Sequence, residues 1–313
     1  MRLIKDKTSI DFLSPVRRKI ALTFSVLVVV VSLVSLYQNG LEFGIDFTGG
    51  VLLEVGYTEP ANLENIRGDL SGAGFQDAQV QQFGRETDVL VRLPPQENVS
   101  ADDVRRNLQA TLAASGQEFE LRRVEFVSAQ VGSELAEKGA LAMVVALLMI
   151  FVYVMIRFQW KFSAGAVAAL AHDAIVTVGF FSIFGLPFDL TVVAALLAVI
   201  GYSLNDTVVA FDRIRENFLG LRGVSAQEAM NISINEMLAR TLITGLTTLL
   251  VLIALLMLGG ESIAPFSIAL IVGIVVGTYS SIYTASATAL ALDVNPEDLI
   301  EPIKDPSLID DLP

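Results

Sequence analysis

Residues 199–217 read VIGYSLNDTVVAFDRIREN, an apolar helical stretch that ends in a run of charged residues. Asn205 and Asp206 lie just inside its apolar part. A carboxylate within a membrane span costs about 3 kcal/mol on insertion scales, and such residues usually mark ion or proton pathways. The stretch therefore predicts a transmembrane helix and the functional centre of the protein.

The composition predicts an integral membrane protein. Of the 313 residues, 53% are hydrophobic, and several apolar runs are long enough to cross a bilayer. The chain has no cysteine, which excludes disulfides and thiolate metal sites. The net charge is −13 and no basic patch stands out, so we expect no nucleic-acid partner, no metal and no cofactor.

The apolar runs predict six transmembrane helices, at residues 19–37, 139–156, 163–186, 190–211, 240–258 and 263–292. The first run is too long for the apolar core of a signal peptide, so we interpret it as an uncleaved span. Lys and Arg concentrate before the first span and in the loops after the second and fourth. The positive-inside rule then places both termini in the cytoplasm and residues 38–138 on the outer side of the membrane.

The connecting segments have their own patterns. Residues 1–18 are expected to be a cytoplasmic N-terminus, and residues 293–313 an acidic, disordered cytoplasmic tail. In the cytoplasmic loop 212–239, Ser225 and Glu228 form a capping box before an apolar stripe. That pattern predicts a short amphipathic helix on the membrane surface, separate from the fifth span.

Residues 38–138 form a polar segment of the size of one small domain. Its pattern predicts the order βαββαβ, which is the ferredoxin-like arrangement. The predicted elements are strands at 41–57, 76–83, 87–93 and 118–128 and helices at 60–72 and 101–115. The fold class is therefore an α-helical polytopic membrane protein with a small α+β periplasmic domain between helices one and two.

Polar residues also occur in other spans. His172 and Asp173 lie in the third span, and Arg240 begins the fifth. Thr244, Thr247 and Thr248 follow Arg240 at helical spacing. Depth along the helices predicts that these groups share the inner half of the bilayer with Asp206. For the threonines, the alternative is that they satisfy carbonyls of their own helix. For His172 and Asp173, the alternative is that they are solvated or capped.

A coupling mechanism follows from Asp206 and Arg240. An unpaired carboxyl in a low-dielectric environment is expected to be neutral, whereas a nearby arginine favours its charged form. A movement that makes or breaks their contact would couple proton occupancy to helix packing.

Small residues predict where spans pack. Ala194, Ala198, Gly201 and Asn205 follow helical spacing on the fourth span. The sixth span has a GxxxG step that includes Gly273. Such small-residue faces allow close helix contact.

Several motifs together resemble those of the SecD/SecF family. They are GIDFTGG at 44–50, AHD at 171–173, GYSLNDT at 201–207, DRIREN at 212–217 and RTLIT at 240–244. The wording SLND at 203–206 is closer to SecF than to SecD. The resemblance implies a six-span subunit of the resistance-nodulation-division superfamily that pairs with SecD. Such a subunit assists the SecYEG channel, with other Sec accessory membrane proteins, and uses proton-motive force to complete export of unfolded polypeptides.

The resemblance also assigns roles to residues. The family's transmembrane aspartate corresponds to Asp206, and its charged partner to Arg240. The glycine motif corresponds to Gly44, Asp46, Gly49 and Gly50, which we interpret as a flexible root and first strand of the outer domain. Family members often end in a basic tail, whereas this tail is acidic.

Two other functions compete with this interpretation. One is a proton-coupled small-molecule efflux subunit of the same superfamily, although such pumps usually have about twelve spans. The other is a passive scaffold, in which Asp206 and Arg240 would tolerate neutral replacement. Residues 38–138 contain neither His nor Cys, and the chain has no Walker phosphate loop, so an enzyme is not expected.

Overall fold

The computed structural model describes residues 8–95, 101–114, 117–158, 160–221, 223–260 and 263–295. The helices, in chain order, are α1 (Pro15–Gln38), α2 (Ile45–Thr48), α3 (Leu63–Gly72), α4 (Ala101–Ala114), α5 (Ala129–Arg157), α6 (Trp160–Phe184), α7 (Leu190–Gly220), α8 (Ala226–Leu258), α9 (Ala264–Ser280) and α10 (Ser286–Ala291), with a π-helical turn at Ser281–Ala285 between the last two. The strands are β1 (Glu42–Phe43), β2 (Gly50–Tyr57), β3 (Gln79–Phe83), β4 (Arg85–Leu93), β5 (Phe119–Val127) and β6 (Pro187–Phe188).

Six helices within the described residues are long and apolar enough to cross a membrane: α1, α5, α6, α7, α8 and the continuous run Ala264–Ala291. They correspond in number and order to the predicted spans. Several are longer than predicted, because α5 begins at Ala129 and α7 continues to Gly220. All but the first three residues of the predicted acidic tail lie outside the described residues.

The separate amphipathic helix predicted before the fifth span is wrong. The structure has one helix, α8, from Ala226 to Leu258. Its start is as predicted, because the Ser225 hydroxyl accepts a hydrogen bond from the Glu228 amide at 3.2 Å. Residues 226–244 contain neither Gly nor Pro. Nothing in the backbone therefore stops the helix before it enters the apolar run.

Between α1 and α5, the chain forms a four-stranded antiparallel sheet in the order β3-β4-β2-β5. We call β2 to β5 with α3 and α4 the α/β domain. Alternating residues of the central strands are buried with apolar residues of the two helices. This core includes Leu53, Val55, Val89, Val91, Ile66, Leu70, Val104 and Leu108. Leu52, Glu54, Leu90 and Arg92 alternate with the core positions and therefore belong to the opposite face of the sheet.

The predicted strand at 41–57 is broken into β1, α2 and β2. Gly49 has φ +72° and Gly50 has φ +120°, so the chain turns sharply before β2 begins. The short strand β1 instead pairs in parallel with β6, in the turn between α6 and α7. This pairing fastens the root of the α/β domain to the membrane helices.

Glycines allow close packing within the helix bundle. A Cβ at Gly273 of α9 would lie 2.2 Å from a methyl group of Val199 on α7. A Cβ at Gly179 of α6 would lie 2.2 Å from the Cβ of Ser32 on α1. The predicted packing role of the small residues on the last span is therefore confirmed for Gly273.

The α/β domain contains one buried phenol, and it predicts an alkaline instability. The Tyr57 hydroxyl has no hydrogen-bond partner within the described residues. Burial raises the pKa of Tyr57 to about 12, and the charge of Asp69 adds to the effect. An unfolded tyrosine ionises near pH 10, so the stability gained by keeping the phenol neutral is complete below about pH 10. It is lost as the pH rises towards 12.

We expect Tyr57→Phe to remove this loss, which is on the order of 2–3 kcal/mol between pH 10 and 12. Near neutral pH the replacement should cost little, because it removes a buried hydroxyl that has no partner. Resistance of the α/β domain to limited proteolysis, measured against pH in the full chain, tests this. An equal alkaline loss in the wild type and in Tyr57→Phe would contradict it.

Candidate functional site

Asp173 on α6 is fully buried and connects three helices. One of its carboxylate oxygens, Oδ2, accepts hydrogen bonds from Ser203 of α7 at 2.6 Å and Ser280 of α9 at 2.7 Å. The other, Oδ1, lies 3.0 Å from Nδ1 of His172. A buried carboxylate requires such partners. The sequence left open whether Asp173 is solvated or capped, and solvation is therefore excluded.

Sequence reasoning missed both serine partners. Ser203 lies inside the motif that identified Asp206, and Ser280 lies one residue before Ser281, which follows the glycine step at helical spacing. The available signal was the presence of hydroxyl residues in otherwise apolar spans, which satisfy polar groups of other helices.

A second set of hydrogen bonds, beside the His172 ring, reaches α1. The rings of His172 and Tyr279 are 6.2 Å apart, centroid to centroid. The Tyr279 hydroxyl donates to the carbonyl of Ala21 at 2.7 Å and accepts from Ser25 at 3.2 Å. The polar residues around Asp173 thus connect α1, α6, α7 and α9.

Asp206 on α7 has a different environment. Its side chain is only 9% exposed, and its Oδ2 has no hydrogen-bond partner within the described residues. The hydroxyls of Tyr202 and Thr207 on the same helix are also buried there without a partner. Buried polar groups are almost always satisfied, so this cluster requires an explanation. It contrasts with Asp173, which has three partners.

The predicted contact between Asp206 and Arg240 is open in this structure. Arg240 is exposed at the middle of α8, and no ion pair joins the two side chains in the part of the chain that the structure describes. Asn205 is exposed too, on the side of α7 away from the chain's own core. No ion pair or hydrogen bond therefore joins the side chains of these three residues in the described part of the chain.

The threonine stripe on α8 follows the alternative interpretation. Thr244 donates to the carbonyl of Arg240 at 3.0 Å, and Thr247 to that of Ile243 at 2.9 Å. Thr248 donates to the carbonyl of Thr244 at 2.9 Å. The hydroxyls satisfy their own helix, while Thr244 and Thr247 are exposed at the surface of this chain.

The small-residue stripe of α7 does not pack against the described part of this chain. Ala194, Ala198, Gly201 and Asn205 are all exposed. The opposite face of α7 packs on α9, where Gly277 approaches Ser203. The stripe therefore presents a close-packing surface that the described part of the chain leaves uncovered.

The glycine motif forms a packed joint, so the prediction of a flexible root is wrong. A Cβ at Gly44 would lie 3.0 Å from the Cβ of Asp189. At Gly49 it would lie 2.7 Å from the Cα of Ala129. Side chains do not fit at these close approaches between backbones, which accounts for the glycines.

The aspartate of the motif joins the domain root to α7. An Asp46 carboxylate oxygen accepts a hydrogen bond from the Leu190 amide, the first of α7, at 2.9 Å. Asp189 accepts from the Val192 amide at 3.0 Å. Both carboxylates lie at the positive end of the helix dipole.

We expect Asp46→Ala to destabilise the joint by about 1 kcal/mol, because the Leu190 amide loses its acceptor. Asp46→Asn should retain most of this stability, since an amide oxygen also accepts. Hydrogen exchange at the start of α7, compared among the two variants and the wild type, measures the effect. Equal exchange in Asp46→Ala and the wild type would show that the contact contributes nothing.

The geometry can now be compared with known proteins. Residues 107–295 match the family "Protein export membrane protein SecD/SecF, C-terminal", and residues 34–61 match "SecD/SecF GG Motif". The protein translocase subunit SecF of Vibrio alginolyticus is 49% identical over 96% of this chain and 95% of its own length. That of Escherichia coli O157:H7 is 42% identical over 90% of this chain and 88% of its own.

A solved structure agrees with the fold as well. The crystal structure of SecDF from Thermus thermophilus, a translocon-associated membrane protein, matches with a TM-score of 0.84 and 36% identity. The match covers 93% of this chain but only 40% of that longer chain. These names do not favour the efflux alternative. Since a family model covers more than half of its residues and relatives are nearly half identical over almost all of it, the chain belongs to the SecD/SecF family of protein export membrane proteins, in its SecF branch.

Proposed function

We propose that this chain is a subunit of the Sec protein-export machinery that works with SecD and uses proton-motive force to drive late polypeptide translocation. The observation that carries the proposal is Asp206, a buried carboxyl without a hydrogen-bond partner within the described residues. A group of this kind can gain and lose a proton without breaking an existing network. Asp173, in contrast, is held by three partners.

The two carboxyls, Asp173 and Asp206, have different roles. Asp173 holds α6, α7 and α9 together through Ser203 and Ser280. Asp206 lies three residues after Ser203, which is about one helical turn. The neighbouring turn of α7 is already bonded to Asp173 through Ser203. A change of charge at Asp206 would therefore act on α7 as a whole.

Arg240 supplies the second state. The ion pair is open here, and we propose that it closes when α7 and α8 move relative to each other. An unpartnered buried carboxylate is strongly stabilised when a cation approaches, and its protonation removes that attraction. Proton binding and release at Asp206 would then alternate between an open and a closed arrangement of the two helices.

Movement of α7 would reach the α/β domain through the joint at its first residue. The helix is continuous from Leu190 to Gly220, and Asp46 holds its first amide. The domain root and the proton site are thus at different points of one rigid helix. The strand order β3-β4-β2-β5 supports a ferredoxin-like domain, which we place on the periplasmic side.

The uncovered faces of α7 and α8 support a membrane partner. Ala194, Ala198 and Gly201 form a small-residue surface, and exposed Thr244 and Thr247 lie on α8. In lipid, such surfaces are stabilised by another helix rather than by acyl chains. SecD is the partner that we propose, because the SecDF relative is a single chain more than twice as long. SecYEG would supply the channel, in the bacterial inner membrane with both termini of this chain in the cytoplasm.

Reconstitution tests the proposal. The chain, SecD and SecYEG are co-purified into vesicles, and completion of export is measured with the proton gradient intact or dissipated. We expect stimulation by the gradient only when both subunits are present. Equal export with and without the gradient would contradict the role in energy coupling, and proton-dependent dye efflux by this chain alone would favour the efflux function instead.

A further inference from the structure

A cavity of about 410 Å³ lies between the α/β domain and the membrane helices. One wall is the face of the sheet that α3 and α4 do not cover, with Leu52, Glu54, Leu90 and Arg92. The other wall is the start of α7 with Leu190. The volume falls within the range of about 300–1,000 Å³ typical of ligand pockets.

The cavity has an apolar lining with a few polar groups that are not satisfied. The Glu54 carboxylate makes no hydrogen bond within the described residues, and the residue is half-buried. Arg92 donates from Nη1 to the carbonyl of Phe43 at 3.3 Å, whereas its Nε is buried without a partner. Burial lowers the pKa of the Arg92 guanidinium, although the charges of Glu42 and Asp189 oppose this. The Glu54 carboxylate thus remains available as an acceptor beside three leucines, whereas the Arg92 Nε is enclosed.

The other charged residues of the lining are already engaged. Arg123 pairs with Glu125. Asp46 and Asp189 accept from amides of α7. In total, four carboxylates and two arginines line the cavity. This acidic balance disfavours a phospholipid phosphate, which would require an excess of cations.

An extended polypeptide fits these groups better. Its backbone offers an N–H at every residue except proline, and this group can donate to the free Glu54 carboxylate. Its apolar side chains would cover Leu52, Leu90 and Leu190, and a lysine or arginine would meet the acidic excess.

We propose that this cavity binds a short extended segment of the polypeptide being exported, with a preference for apolar residues next to a basic one. The inference rests on the proposed function and names the surface of this chain that contacts the substrate. The cavity borders the Asp46–Leu190 contact, so a bound segment would lie at the joint that α7 moves. Polypeptide binding and the movement of α7 would then act on the same joint.

Cysteine crosslinking tests the proposal in the complete complex. The chain has no cysteine of its own, so Leu52→Cys introduces a single thiol in the cavity. The matched control is Ser71→Cys, an exposed position on α3 at the helix-covered side of the sheet. An exported chain is arrested by a folded domain, with one cysteine in a leucine-lysine segment or, for comparison, a leucine-aspartate segment. Disulfide formation is then quantified.

We expect about tenfold more disulfide at Leu52→Cys than at Ser71→Cys with the leucine-lysine segment, and a loss of that preference in Leu52→Cys with Glu54→Gln. Equal crosslinking at the two positions, with gradient-stimulated export intact, would overturn the cavity proposal and leave the proposed function standing. Export that ignores the gradient in the wild type would instead overturn the proposed function. Phospholipid that co-purifies with the wild type and is released by Arg92→Gln would identify a lipid occupant and also overturn the proposal.

Discussion

Asp206→Asn is expected to abolish the gradient-driven part of export while the protein still folds and inserts. Asparagine has nearly the same shape, but it cannot bind or release a proton. One charge that crosses 100 mV is worth about 2.3 kcal/mol, which changes an equilibrium about fiftyfold. We therefore expect the stimulation of export by the gradient to fall by a factor of this order. Export from reconstituted vesicles, normalised to the amount of inserted protein, measures it.

The matched control is Asp212→Asn on the same helix. Asp212 is half-buried and pairs with Arg157 at 3.0 Å, beyond the apolar part of α7. A pair whose side chains both remain more than a third exposed contributes at most about 1 kcal/mol, so this variant should export normally. Full gradient-driven export by Asp206→Asn would refute the proton role and favour the scaffold hypothesis.

Gly50→Ala is expected to have the largest effect on stability. A Cβ at Gly50 would lie 2.1 Å from the carbonyl oxygen of Leu93, and its φ is +120°, which side chains rarely adopt. The clash is with backbone, so no side-chain rotation relieves it. Because β2 pairs with both β4 and β5, displacing its first residue disturbs the centre of the sheet. We expect a loss of about 4 kcal/mol or more.

Limited proteolysis of the α/β domain in the full chain measures this loss, and Gly68→Ala is the control. Gly68 is exposed inside α3, and a Cβ there meets nothing within 4 Å. Alanine in a helix interior is favoured over glycine by about 1 kcal/mol, so the control should be as stable as the wild type or more so. Equal protease resistance in Gly50→Ala and Gly68→Ala would show that the joint tolerates a side chain.

The spans were predictable because apolar length is a property of sequence alone. The ends of the helices were less predictable. The charged residues 212–220 suggested that the fourth span ends at the membrane surface, yet α7 continues through them to Gly220. There Arg213 bonds to Glu236 of α8, so tertiary contacts stabilise helix beyond the lipid.

The candidate site, too, was predictable from the sequence only in part. His172, Asp173 and Asp206 were identified because charge inside an apolar helix is costly wherever it occurs. The partners of Asp173 depend on how three helices pack, and sequence spacing contains no distance between helices. The small residues of α7 were predicted to allow close helix contact, and the sequence did not say with which helix. They are exposed in this chain, because the face of a helix that meets its own chain depends on all the other helices.

The sequence by itself determined the class of protein, the number and order of its spans, the strand and helix order of its domain, and the few residues that lipid makes expensive. These follow from local propensity and from the cost of burying charge, which need no partner to be evaluated. Only the tertiary structure decided that Asp173 is hydrogen-bonded whereas Asp206 has no partner within the described residues. It alone also decided that the glycine motif is a packed joint on α7 and that a cavity lies beside this joint. These depend on distances between segments far apart in the chain, which packing alone sets.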